Sequence, residues 1–196
     1  MKKNFYAVRQ GRVPGIYTTW AECKEQIDGY SGAEYKGFAE KADALEFMGI
    51  ATEEKKQDCE AVAYTDGSFN ASDGRYAFGV VLFTSGEKLT FSRAFENADM
   101  AQMRNVAGEI AGAEFAMRYC LEHGIPSLEI RYDYEGVEKW CTGAWKTNKQ
   151  GTIDYSAFYN SIKDRLKVVF TKVRGHSGDR YNDEADRLAK DALGIE

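Results

Sequence analysis

A chain of 196 residues, 43% hydrophobic and 29% charged with a net charge of −5, has ordinary globular composition. No stretch is biased enough to imply disorder, no repeat recurs at a fixed period, and no apolar run is long enough to cross a bilayer. The start Met1-Lys2-Lys3-Asn4-Phe5 is basic but lacks the apolar core of a signal peptide, so the expected compartment is the cytoplasm.

The cysteines Cys23, Cys59, Cys120 and Cys141 form no C-x-x-C pair and have no histidine at zinc-ligand spacing, which points to reduced, structural thiols. Up to Cys59 the chain carries 9 basic and 10 acidic residues, and after it 17 basic and 21 acidic. Neither part is the cationic surface usual for a nucleic-acid binder. A cluster of four acids that holds divalent metal would account for the deficit in the second part.

In chain order, Phe5–Arg9 reads as a strand, followed by a turn from Gly11 to Gly15 and a short strand Ile16–Thr18. Thr19 is placed to cap a helix over Trp20–Ile27 that ends at Gly29. Tyr35–Phe38 is a third strand, and Lys41–Met48 a second helix stopping at Gly49. These pieces make a small α+β module over residues 1–50. The polar, charge-mixed segment 51–59 reads as a linker.

The second part, residues 60–196, opens with the apolar strand Ala61–Thr65 running into Asp66-Gly67-Ser68. Strands Tyr76–Phe83 and Lys88–Phe95 follow, joined by the turn Thr84-Ser85-Gly86. A long helix is expected over Gln102–His123, its apolar stripe running through Val106, Ile110, Ala113, Met117 and Leu121, with Gly124 closing it. Leu128–Tyr132 and Val168–Val173 read as strands, Glu135–Trp145 and Tyr155–Leu166 as helices, and Tyr181–Leu193 as a last helix. The order β-β-β-α-β-α-α-β-α describes an α/β fold: a five-stranded mixed sheet, an antiparallel meander extended by parallel strands, flanked by helices.

A single aspartate among 31 acidic residues is ordinarily a solvated surface charge. Four acids differ by their neighbours. Asp66 ends or interrupts an apolar strand, where an unpaired carboxylate is costly. Asp133 follows Leu128–Tyr132 at the carboxyl end of a strand, where open α/β sheets place their sites. Glu109 and Asp186 each flank the buried stripe of a helix. Converging on one crevice, four such groups would repel unless divalent cations neutralised them, and oxygen-only ligands favour Mg²⁺ or Mn²⁺ over zinc. Two such ions suit an in-line phosphoryl displacement. His176, in the glycine-flanked loop Val173–Gly178, is surface decoration out of context and a proton carrier for a leaving 3′-oxygen beside such a crevice.

These residues bring a family with them. The second part resembles the type 1 ribonuclease H domain in Tyr64-Thr-Asp-Gly-Ser68, Asn105-Val-Ala-Gly-Glu109, Ile130-Arg-Tyr-Asp133, Val173-Arg-Gly-His176 and Asn182-Asp-Glu-Ala-Asp186. The pieces come in the family's order, the four acids separated by 43, 24 and 53 positions. The resemblance implies that Asp66, Glu109, Asp133 and Asp186 hold two Mg²⁺ ions, with Mn²⁺ a possible substitute, and that His176 assists proton transfer or product release. It implies that Gly67, Ser68 and Asn105 approach the RNA strand, whose 2′-hydroxyl distinguishes it from DNA. The implied activity is endonucleolytic hydrolysis of the RNA strand of an RNA–DNA hybrid, giving 5′-phosphate and 3′-hydroxyl ends.

The first part resembles the same family's hybrid-binding, viroplasmin-like domain in Phe5–Arg12, Pro14–Trp20, Cys23, Ala33–Lys36 and Phe38. Tyr6, Trp20 and Tyr35 could stack on sugars or bases while Lys36 meets phosphate. The alternative for these aromatics is a small core. Trp140–Asn148 is too short for the basic handle of many members, Gly37 replaces a second lysine, and Arg104 stands where a threonine is common. The expected partner is an RNA–DNA hybrid; nothing in the sequence points to a membrane or an obligate protein partner. The rival function is a non-catalytic hybrid- or duplex-RNA-binding protein, against which the four intact carboxylates argue; integrases and junction resolvases share the fold with other substrates.

Overall fold

The structure is a computed structural model and describes residues 3–39, 41–48, 59–173 and 179–195. The chain divides into two compact units, residues 1–57 and 58–196.

In the first unit, strands β1 (Phe5–Gln10), β2 (Gly15–Tyr17) and β3 (Glu34–Phe38) form an antiparallel sheet in the order β2-β1-β3. Helix α1 (Trp20–Ile27) starts where the sequence supplies a reciprocal cap: the Glu22 amide donates to the Thr19 hydroxyl, and the Glu22 carboxylate accepts from the Thr19 amide. Gly29, at φ +71°, turns the chain out of it. Helix α2 (Lys41–Phe47) completes the unit. Ala7, Val8, Cys23 and Ala44 are fully buried at its centre.

The second unit is a five-stranded sheet in the order β6-β5-β4-β7-β8, built from β4 (Ala61–Phe69), β5 (Tyr76–Thr84), β6 (Glu87–Phe95), β7 (Ser127–Tyr132) and β8 (Lys167–Lys172). β4, β5 and β6 pair antiparallel, while β7 joins β4 and β8 joins β7 in parallel. Ser85 and Gly86, both at positive φ, make the tight loop between β5 and β6, whose backbone twist matches that of the hairpin.

Helix α3 (Ala98–Ala101) leads into the long α4 (Asn105–Glu122), which covers one face of the sheet. There Ala107, Ile110, Ala113, Ala116, Met117 and Cys120 join Ala61, Ala63, Val80, Leu82, Leu128 and Ile130 in the main core. Helix α7 (Arg180–Leu193), capped by Asp179 and ended by Gly194 in the left-handed conformation, lies on the opposite face, where Ala185 packs with Val62, Tyr64 and Val81. Among the described residues, no helix is long and apolar enough to cross a membrane.

Three helices depart from expectation. α4 begins at Asn105 rather than Gln102, because Arg104 takes φ +55° and breaks the run. The helix expected over Glu135–Trp145 reduces to α5 (Gly136–Lys139) followed by turns, with Gly143 at φ +76°. α6 spans Gln150–Ile162 rather than Tyr155–Leu166, its first turn secured by the Lys149 amide donating to the Thr152 hydroxyl at 3.3 Å.

Candidate active site

Strand pairing sets the first two acids level. β4 and β7 run in parallel with Tyr64 opposite Arg131, so Asp66 and Asp133, each two residues further along, reach the same height on neighbouring strands. Asp66 lies within β4 rather than at its end, paired with Gly79 of β5, and is 8% exposed.

Two close backbone approaches bring the helical acids in. A Cβ on Gly67 would collide with the α4 backbone at Asn105 and Glu109, so α4 can lie directly against β4 only because that residue is glycine. The next helical residue after Gly108 is Glu109, which is thereby held over the strand and 3% exposed. On the other face, a Cβ on Gly79 would collide with the α7 backbone at Ala185 and Ala189. Glycine there lets α7 settle beside Asp66, and Asp186 follows Ala185.

Asp66, Glu109 and Asp133 each offer a carboxylate oxygen, and these atoms lie within 4.8 Å of one another. Asp186 lines the same crevice, together with Gly67, Asn105 and Tyr134, around a volume of about 330 Å³. The Glu109 Oε2 atom is buried without a hydrogen-bond partner. Burial first, then the charges of Asp66 and Asp133, raises the Glu109 carboxyl well above the usual range. Burial and the neighbouring Asp133 push Asp66 up to about 7, against the opposing pull of the Gly67 amide, which donates to Asp66 at 2.7 Å. The crevice therefore strains against its own charge and is suited to a hard cation.

Ser68 is buried at the end of β4, and Asn105 is exposed on the first turn of α4 at the crevice. His176 lies outside the described residues. Sequence reasoning passed over Tyr134 and Lys190. Tyr134 lines the crevice next to Asp133, its hydroxyl pKa raised by burial and then by Glu109. Lys190 donates to Asp186 at 2.9 Å, a pairing that the four-residue spacing on one helix face makes readable in retrospect. A second cleft of about 340 Å³ shares Asn105 and Tyr134 with the crevice and is bounded by Arg104, Trp140, Lys146 and Lys149.

In the first unit, β1 and β3 pair Tyr6 with Gly37 and Val8 with Tyr35, which puts Tyr6 and Tyr35 on one side of the sheet. Trp20 stands between them, its ring 5.6 Å from that of Tyr6 and 5.9 Å from that of Tyr35. Trp20 is 46% and Tyr35 45% exposed, so this aromatic row is a surface rather than a core. Lys36, the next residue on β3, is exposed toward the other side of the sheet, its ammonium 5.6 Å from the Phe38 ring.

Comparison with known proteins agrees with both units. A family model described as the ribonuclease H1 N-terminal domain matches residues 4–48, and one described as RNase H matches residues 58–194. A ribonuclease H of Saccharomyces cerevisiae is 61% identical over 46 residues, a match that spans 24% of this chain and only 13% of that protein. Human ribonuclease H1 is 25% identical over 253 residues, covering 95% of this chain and 88% of that one. The structure of LC11-RNase H1 in complex with an RNA/DNA hybrid shares the fold, with a TM-score of 0.54 at 20% identity over 68% of this chain and 99% of that one. With a sheet of the order β6-β5-β4-β7-β8, carboxylates gathered at its centre and the family's model matched across the whole second unit, the chain belongs to the ribonuclease H family of hydrolases.

Proposed function

We propose that this chain is an endoribonuclease that hydrolyses the RNA strand of RNA–DNA hybrids, leaving 5′-phosphate and 3′-hydroxyl ends. The observation that carries the reading is the convergence of Asp66, Glu109 and Asp133 within 4.8 Å, with Asp186 on the same crevice. A protein that only bound nucleic acid would gain nothing but repulsion from such a cluster.

The residues fit divalent metal. All four side chains are oxygen donors, and the buried, unpartnered Oε2 of Glu109 faces a mutual repulsion that a cation relieves. Asp66, Glu109, Asp133 and Asp186 would hold two Mg²⁺ ions, with Mn²⁺ as a possible substitute. Bound there, the ions would activate the attacking water and stabilise the leaving oxygen of an in-line displacement.

The chain's own groups do the rest. The rigid pairing of β4 with β7 fixes Asp66 against Asp133, and the glycine contacts fix Glu109 and Asp186, so the donors are arranged before substrate arrives. Gly67, Ser68 and Asn105 border the place where the RNA strand would lie and would read its 2′-hydroxyls. His176 would carry a proton to the departing 3′-oxygen.

Residues 1–50 would act as a hybrid-binding domain, joined by a linker over 51–59 to the catalytic domain over 60–196. Tyr6, Trp20 and Tyr35 would stack on sugars or bases and Lys36 would meet phosphate, supplying the grip that a basic handle gives in other members. The test is a panel of labelled substrates with Mg²⁺: hybrid, single-stranded RNA, duplex RNA and duplex DNA, with analysis of the product ends. Cutting confined to the RNA of the hybrid, with 5′-phosphate products, supports the proposal. Tight binding of the hybrid without cleavage in Mg²⁺ or Mn²⁺ would favour the non-catalytic binder instead.

A further inference from the structure

The four acids of the crevice are not equivalent. Three of them offer oxygens within 4.8 Å of one another, and Asp186 is not one of the three. Its Oδ2 instead accepts from the Lys190 ammonium at 2.9 Å, one helical turn further along α7. Both side chains are partly buried, Asp186 at 24% and Lys190 at 36% exposure, so solvent screens the pair less than a fully exposed one. Lys190 is the only cation among the described residues seen bonded to an acid of this crevice.

We infer that Lys190 is a positioning residue that competes with divalent metal for Asp186, making the ion that draws on Asp186 the weaker of the two. Without metal, the ammonium offsets part of the repulsion among Asp186, Asp66, Glu109 and Asp133 and keeps Asp186 turned along its own helix. With metal, Asp186 must divide its oxygens between Lys190 and the ion, and the positive charge of the lysine stands close to the incoming cation. The built-in charge therefore trades metal affinity for stability of the empty crevice. The Glu109 Oε2, buried without a partner, is not engaged by Lys190.

The inference rests on the proposed metal-dependent function and has a sign that a merely structural role would not produce. Removing a unit charge a few Å from a divalent ion should tighten binding roughly fivefold after screening. The experiment is a Mn²⁺ titration of the full chain followed by electron paramagnetic resonance of free Mn²⁺, for wild type, Lys190→Met and Lys190→Arg. Thermal unfolding is measured on the same samples with EDTA and with saturating Mn²⁺.

The expected result is a weaker class of site that tightens roughly fivefold in Lys190→Met and returns to the wild-type value in Lys190→Arg. Lys190→Met should also melt lower than wild type in EDTA and regain the difference in Mn²⁺. Equal or weaker Mn²⁺ binding by Lys190→Met overturns the inference while leaving the metal reading standing. Absence of Mn²⁺ binding by wild type, or binding that survives in Asp133→Asn at full stoichiometry, overturns the metal reading and the inference with it.

Discussion

Gly67 and Gly108 meet backbone to backbone: a Cβ built on Gly108 would stand 2.8 Å from the Cα of Gly67. This contact between β4 and α4 places Glu109 over Asp66, and neither glycine can accept a methyl group without moving the helix. Gly108→Ala should therefore lower stability by about 3 kcal/mol, from overpacking against backbone that cannot yield. It should also reduce activity, because a displaced α4 carries Glu109 out of the crevice. Urea unfolding and hybrid cleavage on the same variant check this; a variant with wild-type stability would mean that the sheet gives way easily.

Metal-free stability should depend on pH through Asp66. Its carboxyl is pushed up to about 7 in the folded chain, so the folded state holds a proton that the unfolded state has already released. The contribution is fully present below the ordinary aspartate value, near pH 4, and is lost as pH rises through about 7. Asp66→Asn cannot ionise. In EDTA it should gain on wild type between pH 4 and pH 7, by on the order of 2 kcal/mol. Saturating Mg²⁺ should close or reverse the gap. Paired unfolding curves across that range test it, and a gap independent of pH would contradict the origin assigned to the shift.

Trp20 and Tyr35 are nearly half exposed, so their rings contribute little to the core of the first unit. Trp20→Ala and Tyr35→Ala should each weaken hybrid binding by about 1–3 kcal/mol, the range for loss of one base–aromatic contact. Cleavage at saturating hybrid should stay close to wild type, so the loss should fall on KM rather than kcat. Fluorescence anisotropy with a labelled hybrid, read beside steady-state kinetics, distinguishes this from a loss of folding.

Much of this arrangement is readable in the chain because local chemistry and tertiary demand agree. The apolar run Ala61–Thr65, the Thr19–Glu22 cap and the stripe on α4 each point to the element that forms. Where they disagree, tertiary packing decides. Gly151 resembles a breaker, yet it lies in the first turn of α6, where a Cβ would crowd the Met100 and Met103 side chains of the neighbouring segment.

The stretch after Asp133 has helical composition, but Tyr134, Trp140 and Trp145 pack their rings together at 5.8–6.2 Å, and Gly143 turns back in the left-handed region. Asp66 stands inside β4 rather than at its end because β5 continues to pair with it to Phe69. The role of Gly79 depends on which face α7 presents to β5, and periodicity alone does not reveal that.

The carboxylate site is tested most directly by cleavage of a labelled RNA–DNA hybrid in Mg²⁺ by wild type and Asp133→Asn, with circular dichroism to show that both are folded. Wild type is expected to cut the RNA strand and the folded variant to lose activity by about a hundred- to thousandfold, the scale of losing a group that stabilises transition-state charge. A folded Asp133→Asn that cuts the hybrid at the wild-type rate would contradict the carboxylate site and the metal-dependent chemistry built on it.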